Sequence, residues 1–452
     1  MKDQELLETF FSMIHHFFPR FVRDLGKFLD PRHPSFITYP LPILLLEGLF
    51  LFLMKLESRR DIAFQFQEEP FWKNLWEWVA RENPAWRERG EEVRRVPHGD
   101  TLNDLLTRLN PAWLGQFRTG LVRRLIRMRA LEGDRLLGKY YRIVIDGTAN
   151  VSFRARHCAE CLTRKTGEDS QGNPLYVYYH PVLEAKLVTT VGLVLSVATE
   201  FIENEREPLS KQDCELKAFY RLAVKLKHAF PQLPICLMMD GLYAAGPVFD
   251  LCQHHQWKFL ITFKEGSMPS VWQEFTSLKQ CAPENALCQK TKEGNHQAYA
   301  WVSQLDYEAR SLNILEVQEQ SPSTGNKRFV WITNFGLQAG NVSILAEKGG
   351  RLRWKIENEG FNVQKNGGYG LEHAFSRNPI AIKNFYLLLQ IAHTMSQLME
   401  KGSLLKNPIA KVFGSLRNFG SALREAFTHC VFHFDSAFFA RRIQIRFAFD
   451  SG

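Results

Sequence analysis

The chain has 452 residues, 45% of them hydrophobic and 23% charged, with 57 Lys and Arg against 48 Asp and Glu. These values exclude a disordered or collagen-like protein, and the length suggests about three domains. The net charge of +9 matters chiefly through where it clusters, since a basic patch points to a polyanion partner.

Residues 1–135 read as a helical N-terminal domain, with DNA binding as its expected role. Met1-Lys2-Asp3-Gln4-Glu5 is mixed in charge, and no signal-like apolar region follows directly. Leu6, Phe10, Met13 and Phe17 recur at helical spacing. The most apolar run, residues 43–54, contains Glu47 and falls short of the ~20 residues of a membrane span, so a buried helix is expected. Trp72, Trp76, Trp78 and Trp86 are expected in the core rather than as a base-stacking platform. After a helix start at Thr101-Leu102-Asn103-Asp104, one apolar face holds Leu114, Phe117, Leu121, Leu125 and Met128. The other face carries Arg118, Arg123, Arg124, Arg127 and Arg129. Residues 111–142 hold eight basic and two acidic residues, a bias that a merely solvated face does not need.

The pattern changes at Tyr140. "YYRIVIDGT" reads as a strand with Asp146 at its tip, followed by strands in "PLYVYYHPVLEAKLV" and "VGLVLSVATEFI". A helix is expected over 211–230, then a strand in "PICLMMD" ending at Asp240. A helix over 244–255 and the strand "WKFLITFK" follow. Three strands, helix, strand, helix, strand describe an α/β mixed sheet flanked by helices, the order of a ribonuclease-H-like core. Residues 265–342 read as a β-rich insertion, with the turn "SPSTGN" between two of its strands. The chain then returns to helix, so the core comprises 136–264 and 343–400. A basic C-terminal part, 401–452, has eight basic and two acidic residues between 401 and 447.

Asp146 and Asp240 each end an apolar strand and precede Gly. Strand ends of α/β sheets are where ligands and metals collect, and adjacent carboxylates repel unless a cation separates them. Oxygen ligands of this kind suit Mg²⁺ or Mn²⁺. A strand-end Asp is also a common turn cap. Arg353-Trp354-Lys355-Ile356-Glu357 adds an acid on a helix, with Arg353 and Glu357 four apart on one face, also the spacing of a simple ion pair.

Together, Ile145-Asp146-Gly147-Thr148, Met239-Asp240-Gly241 and the Arg353–Glu357 "R-W-x-I-E" run resemble the DDE transposases of bacterial insertion sequences, in particular the fourth insertion-sequence family. The resemblance covers roughly residues 95–445 and includes a β-rich insertion between the second Asp and the Glu. It implies Asp146, Asp240 and Glu357 as catalytic ligands of two Mg²⁺ or Mn²⁺ ions, with Glu359 the alternative third acid. Arg353, Trp354, Lys365, Arg123, Arg124 and Arg127 are the implied DNA-binding residues. The implied activity is cleavage at transposon ends and strand transfer into target DNA. The implied partners are double-stranded terminal inverted repeats and target DNA, bound by a homodimer, with no membrane association. A bacterial, nucleoid-associated cytoplasmic location follows from the resemblance. A silent DNA-binding descendant and a nuclease without strand transfer are the alternatives. Counted from Glu357, the family's Tyr place holds Gly350 and its Lys place Gln364, with Lys365 one residue on.

Eight cysteines are spread from Cys158 to Cys430 with one close pair, which is no disulfide framework and favours a reducing cytosol. His157-Cys158-Ala159-Glu160-Cys161, with His180 further on, is one half of a zinc site. No second Cys pair is visible, so ordinary buried thiols are the expectation.

Overall fold

The computed structural model describes residues 1–204, 212–292, 294–322, 325–405, 407–441 and 443–449. Lys211, where the helix over 211–230 was expected to start, lies outside them. So do Ser323 and Thr324 of the "SPSTGN" turn, and Lys406 and Arg442 of the basic C-terminal part. Among the described residues no helix is long and apolar enough to cross a membrane.

The centre is a mixed sheet flanked by helices. Its strands are β1 (Tyr141–Phe153), β2 (Leu162–Glu168), β3 (Pro174–Val188), β4 (Val194–Phe201), β5 (Ile235–Met239) and β6 (Lys258–Thr262). They continue with β7 (Ala286–Lys290), β8 (His296–Tyr307), β9 (Arg310–Ser321) and β10 (Gly325–Thr333). The order is β2-β3-β1-β5-β6-β10-β9-β8-β7, with β4 also paired to β3. β1 runs antiparallel to β3 and parallel to β5, and β5 is parallel to β6. β5 is buried along its whole length, as a central parallel strand with both faces covered must be.

The expected insertion forms an antiparallel extension of the same sheet, since β10 pairs with β6. Two of its elements were not legible in sequence: helix Pro269–Cys281 and strand β7. β2 was missed as well, because its exposed "LTRKTGE" lacks an apolar alternation.

The N-terminal helices share one continuous hydrophobic core with the sheet, running from Leu6 to Phe447. Helix Pro379–Lys401 is buried nearly all round. Its Asn384 side chain donates to the carbonyls of Leu106 (2.8 Å) and Leu109 (2.7 Å), tying it to the N-terminal helices. Trp72, Trp76 and Trp78 are buried as expected.

The apolar run forms helix Leu41–Leu53, every residue of which is buried. Glu47 sits inside it with neither carboxylate oxygen hydrogen-bonded, and burial raises its pKa well above the carboxylate range. A carboxyl held neutral in the fold but ionised when unfolded loses stability as pH rises past the unfolded pKa. Glu47→Gln is therefore expected to be more stable than wild type by a margin that grows between pH 5 and pH 8. Urea midpoints at the two pH values check this, and an equal margin at both would contradict it.

Candidate active site

Asp146 and Asp240 stand side by side because β1 and β5 run parallel. Their pairing extends from Tyr141↔Ile235 to Val144↔Met238, and each Asp lies two residues beyond the last pair. The two acids thus share one register where the parallel β1–β5 pairing ends, the edge where open α/β sheets bind ligands. β1 itself does not end there, contrary to the expected tip at Asp146. β3 is long enough to keep pairing with it to Phe153, so only the contact with β5 ends at the acid.

Backbone bonds orient both acids. Gly147 N–H donates to Asp146 Oδ1 (3.1 Å), and Leu242 N–H donates to Asp240 Oδ1 (2.9 Å). The second bond caps the 3₁₀ turn Gly241–Tyr243, so the turn-capping use of this Asp is present and engages one of its oxygens.

Glu357 arrives from a distant part of the chain. Arg142 on β1 pairs with buried Asp134 and donates to the Lys348 carbonyl (2.7 Å), which pins the incoming segment to the base of β1. That segment continues as a 3₁₀ turn, Gly350–Trp354, and a π-helical turn, Ile356–Asn362. Single π turns are uncommon and recur at functional sites. Arg353 Nη1 lies 3.3 Å from Glu357 Oε1 and 3.9 Å from Asp146 Oδ2. At 7% exposure the Arg353 guanidinium bridges two acids and is not open to solvent. Trp354, 51% exposed, presents its ring beside it, 4.5 Å from the guanidinium. Glu359 faces another way, toward Lys355 Nζ (2.9 Å) and the β3–β4 turn at Gly192.

The cluster contains a fourth acid that sequence reasoning missed. Glu215 opens helix Glu215–Ala229 and accepts the Tyr243 hydroxyl proton donor at 2.8 Å. A β-carbon on Gly147 would come within 2.8 Å of Glu215 Oε2, which places this carboxylate directly against the residue after Asp146. Asp146 is pushed up to about 7, first by burial, with Arg353 opposing and Glu357, Glu215 and Asp240 adding to the rise. Burial likewise raises Glu215, and the Tyr243 bond opposes it. Lys186, fully buried on β3, is pulled down to about 8 by desolvation.

The structure places the two positions, Gly350 and Gln364, that depart from the signature the sequence resembles. A β-carbon on Gly350 would run into the Trp331 indole, so no side chain fits the Tyr place. Gln364 points inward, bonded to Gln390 (2.9 Å), His393 (2.8 Å) and the Lys186 ammonium (3.4 Å). Lys365 turns outward and pairs with Glu372 at 2.7 Å, away from the acids.

The basic helix spans Pro111–Arg127. Arg123 donates to the Ala229 carbonyl (2.7 Å) and Arg124 to that of Phe17, while Arg127 is exposed. Arg118 does not belong to this outer face. It is buried and pairs with Glu184 at 3.8 Å, because a four-residue step places it over β4 beside Leu114 and Leu121.

Fold and site together define a mixed α/β protein in which Asp146 and Asp240 share one register where the pairing of two parallel strands ends. No protein-family model matches the chain, and no curated protein matches it.

Proposed function

We propose that the chain is a DNA transposase of the DDE class, cutting at transposon ends and joining the freed 3′ ends to target DNA. The observation that carries this reading is the parallel register that sets Asp146 beside Asp240, together with Arg353, which lies 3.9 Å from Asp146 and 3.3 Å from Glu357. The strand order β4-β3-β1-β5-β6, antiparallel on one side of β1 and parallel on the other, supports a ribonuclease-H-like core.

The donor set fits divalent cations. Asp146 is raised first by burial and further by the charges of Glu357, Glu215 and Asp240, a repulsion that a cation relieves. Hard oxygen donors suit Mg²⁺ or Mn²⁺. Asp146, Asp240 and Glu357 would be the residues that hold the ions. When bound, such ions supply an activated water or 3′-hydroxyl and a stabilised leaving oxygen. Arg353 balances Asp146 and Glu357 and sets the Glu357 side chain toward the strand edge. Trp354 offers an exposed stacking face beside the acids. Arg123, Arg124 and Arg127 serve as phosphate contacts, which position DNA and make binding steeply salt-dependent. Action on both ends of an element calls for two copies of the chain.

The test searches the DNA flanking the reading frame for inverted repeats and uses that flanking DNA as substrate. With Mg²⁺ the chain is expected to nick the repeat ends and join them to a second plasmid. Glu357→Gln is expected to lose both steps, and Glu359→Gln to keep them. Cleavage without joining would indicate a nuclease, and binding without cleavage a silent DNA-binding protein. Either outcome overturns the proposal.

A further inference from the structure

The loop between β1 and β2 brings together a second set of chemical groups. His157, Cys158 and Cys161 lie on the loop, and His180 lies on β3, opposite Val151 of β1. Their four donor atoms all fall within 4.8 Å of one another, and this is the set that does so among the described residues. Cys158 Sγ and Cys161 Sγ are 3.0 Å apart, and His180 Nε2 is 3.3 Å from each. His157 Nδ1 is 3.5 Å from Cys161 Sγ, and the other ring nitrogen is buried with no partner. Both cysteines are free thiols.

We infer that His157, Cys158, Cys161 and His180 bind one Zn²⁺ ion in a closed, structural Cys₂His₂ site. Two sulfurs and two imidazoles are the donors zinc selects over Mg²⁺. Tetrahedral bonds of ~2.0–2.3 Å require donor separations of about 3.3–3.8 Å; the Cys–His separations of 3.3–3.5 Å fall in that range, and the two sulfurs, at 3.0 Å, would move apart on binding. Four protein ligands fill the coordination shell, which leaves no position for substrate and marks the ion as structural. Binding releases the two thiol protons as the cysteines become thiolates. The sequence shows only the Cys-x-x-Cys half, because the fourth ligand is 19 residues further on and reaches the loop through the β2–β3 register, Leu162↔Tyr179.

The ion has a clear mechanical task. β2 is exposed from Arg164 to Glu168, and the opening residues of β3, including Leu175 and Tyr176, are exposed as well. A two-stranded hairpin without a core is marginal by itself. The metal would clamp its base, where Cys161 is already held by the Asn204 side chain on its carbonyl at 3.0 Å. Arg154, Arg156, Arg164 and Lys165 are displayed around this hairpin, so the clamp also fixes a basic surface. The zinc site does not depend on the transposase reading.

The experiment is metal analysis of the full chain purified from zinc-supplemented medium. One zinc per chain is expected, retained through dialysis against metal-free buffer. Cys158→Ser, Cys161→Ser and His180→Ala are each expected to fall below about a tenth of that, with Cys214→Ser, at an exposed thiol, unchanged. Should the ligand variants fail to fold, Co²⁺ exchange into the wild type decides. Tetrahedral d–d bands with sulfur charge transfer support the site. Zinc-free protein that takes up neither Zn²⁺ nor Co²⁺, or a Cys158–Cys161 disulfide in freshly purified chain, overturns it.

Discussion

Asp146→Asn is expected to abolish Mg²⁺-dependent strand cleavage, by on the order of 10³-fold or more, while leaving the fold intact. Asn keeps the shape and the bond from Gly147 N–H but removes the charge that would help hold the ions. The structural readout separates this from unfolding. Asp146 is raised to about 7 in the fold, so without metal it binds a proton that the unfolded chain has released above the ordinary carboxylate range. Its contribution therefore lowers stability progressively from about pH 4 to pH 7 and levels off above. The variant should match wild type near pH 4 and exceed it at pH 8 in metal-free buffer. Added Mg²⁺ should raise the thermal midpoint of wild type and not of the variant, since a ligand stabilises only the state that binds it. Lower stability at pH 8, or retained cleavage, would sink the assignment.

Arg118→Met is expected to destabilise the protein by ~3–5 kcal/mol, the largest stability effect anticipated here. Arg118 donates to Ser196 Oγ at 2.9 Å and to the Thr199 hydroxyl, and both hydroxyls in turn donate to Glu184. Glu184 has no exposed surface, so removing the guanidinium strands a buried carboxylate. The double variant Arg118→Met/Glu184→Met removes both charges and should recover most of the loss, because a well-packed apolar pair commonly equals a buried ion pair. Denaturant midpoints of the wild type, both single variants and the double variant give the coupling directly. Near-additive losses would show that the pair carries little. Glu184 is the direct cross-strand partner of Asp146, so the single variant is also expected to disturb the acid-bearing stretch of β1.

Features set by neighbours in sequence were legible. β3 spans the fifteen residues of "PLYVYYHPVLEAKLV", and β5 and β6 fall within their expected runs, because apolar runs and alternation report directly on strands. Helix Gly246–His254 lies inside its expected 244–255, with Pro at its first turn. Asp146, Asp240, Arg353 and Glu357 were visible as candidates because each belongs to a short motif.

What only the tertiary structure decided depends on register and on which helix face turns inward. No local pattern pairs Asp146 with Glu184, brings Glu215 against Gly147, or carries His180 to Cys158 and Cys161. Arg118 looked like one of five basic side chains on a helix, and a 100° step per residue separates a solvated Arg from one sealed over β4. Composition and periodicity identified the elements and the ionisable groups. Burial and long-range pairing then assigned those groups their partners, because a charge is governed by what surrounds it in space and not by its place along the chain.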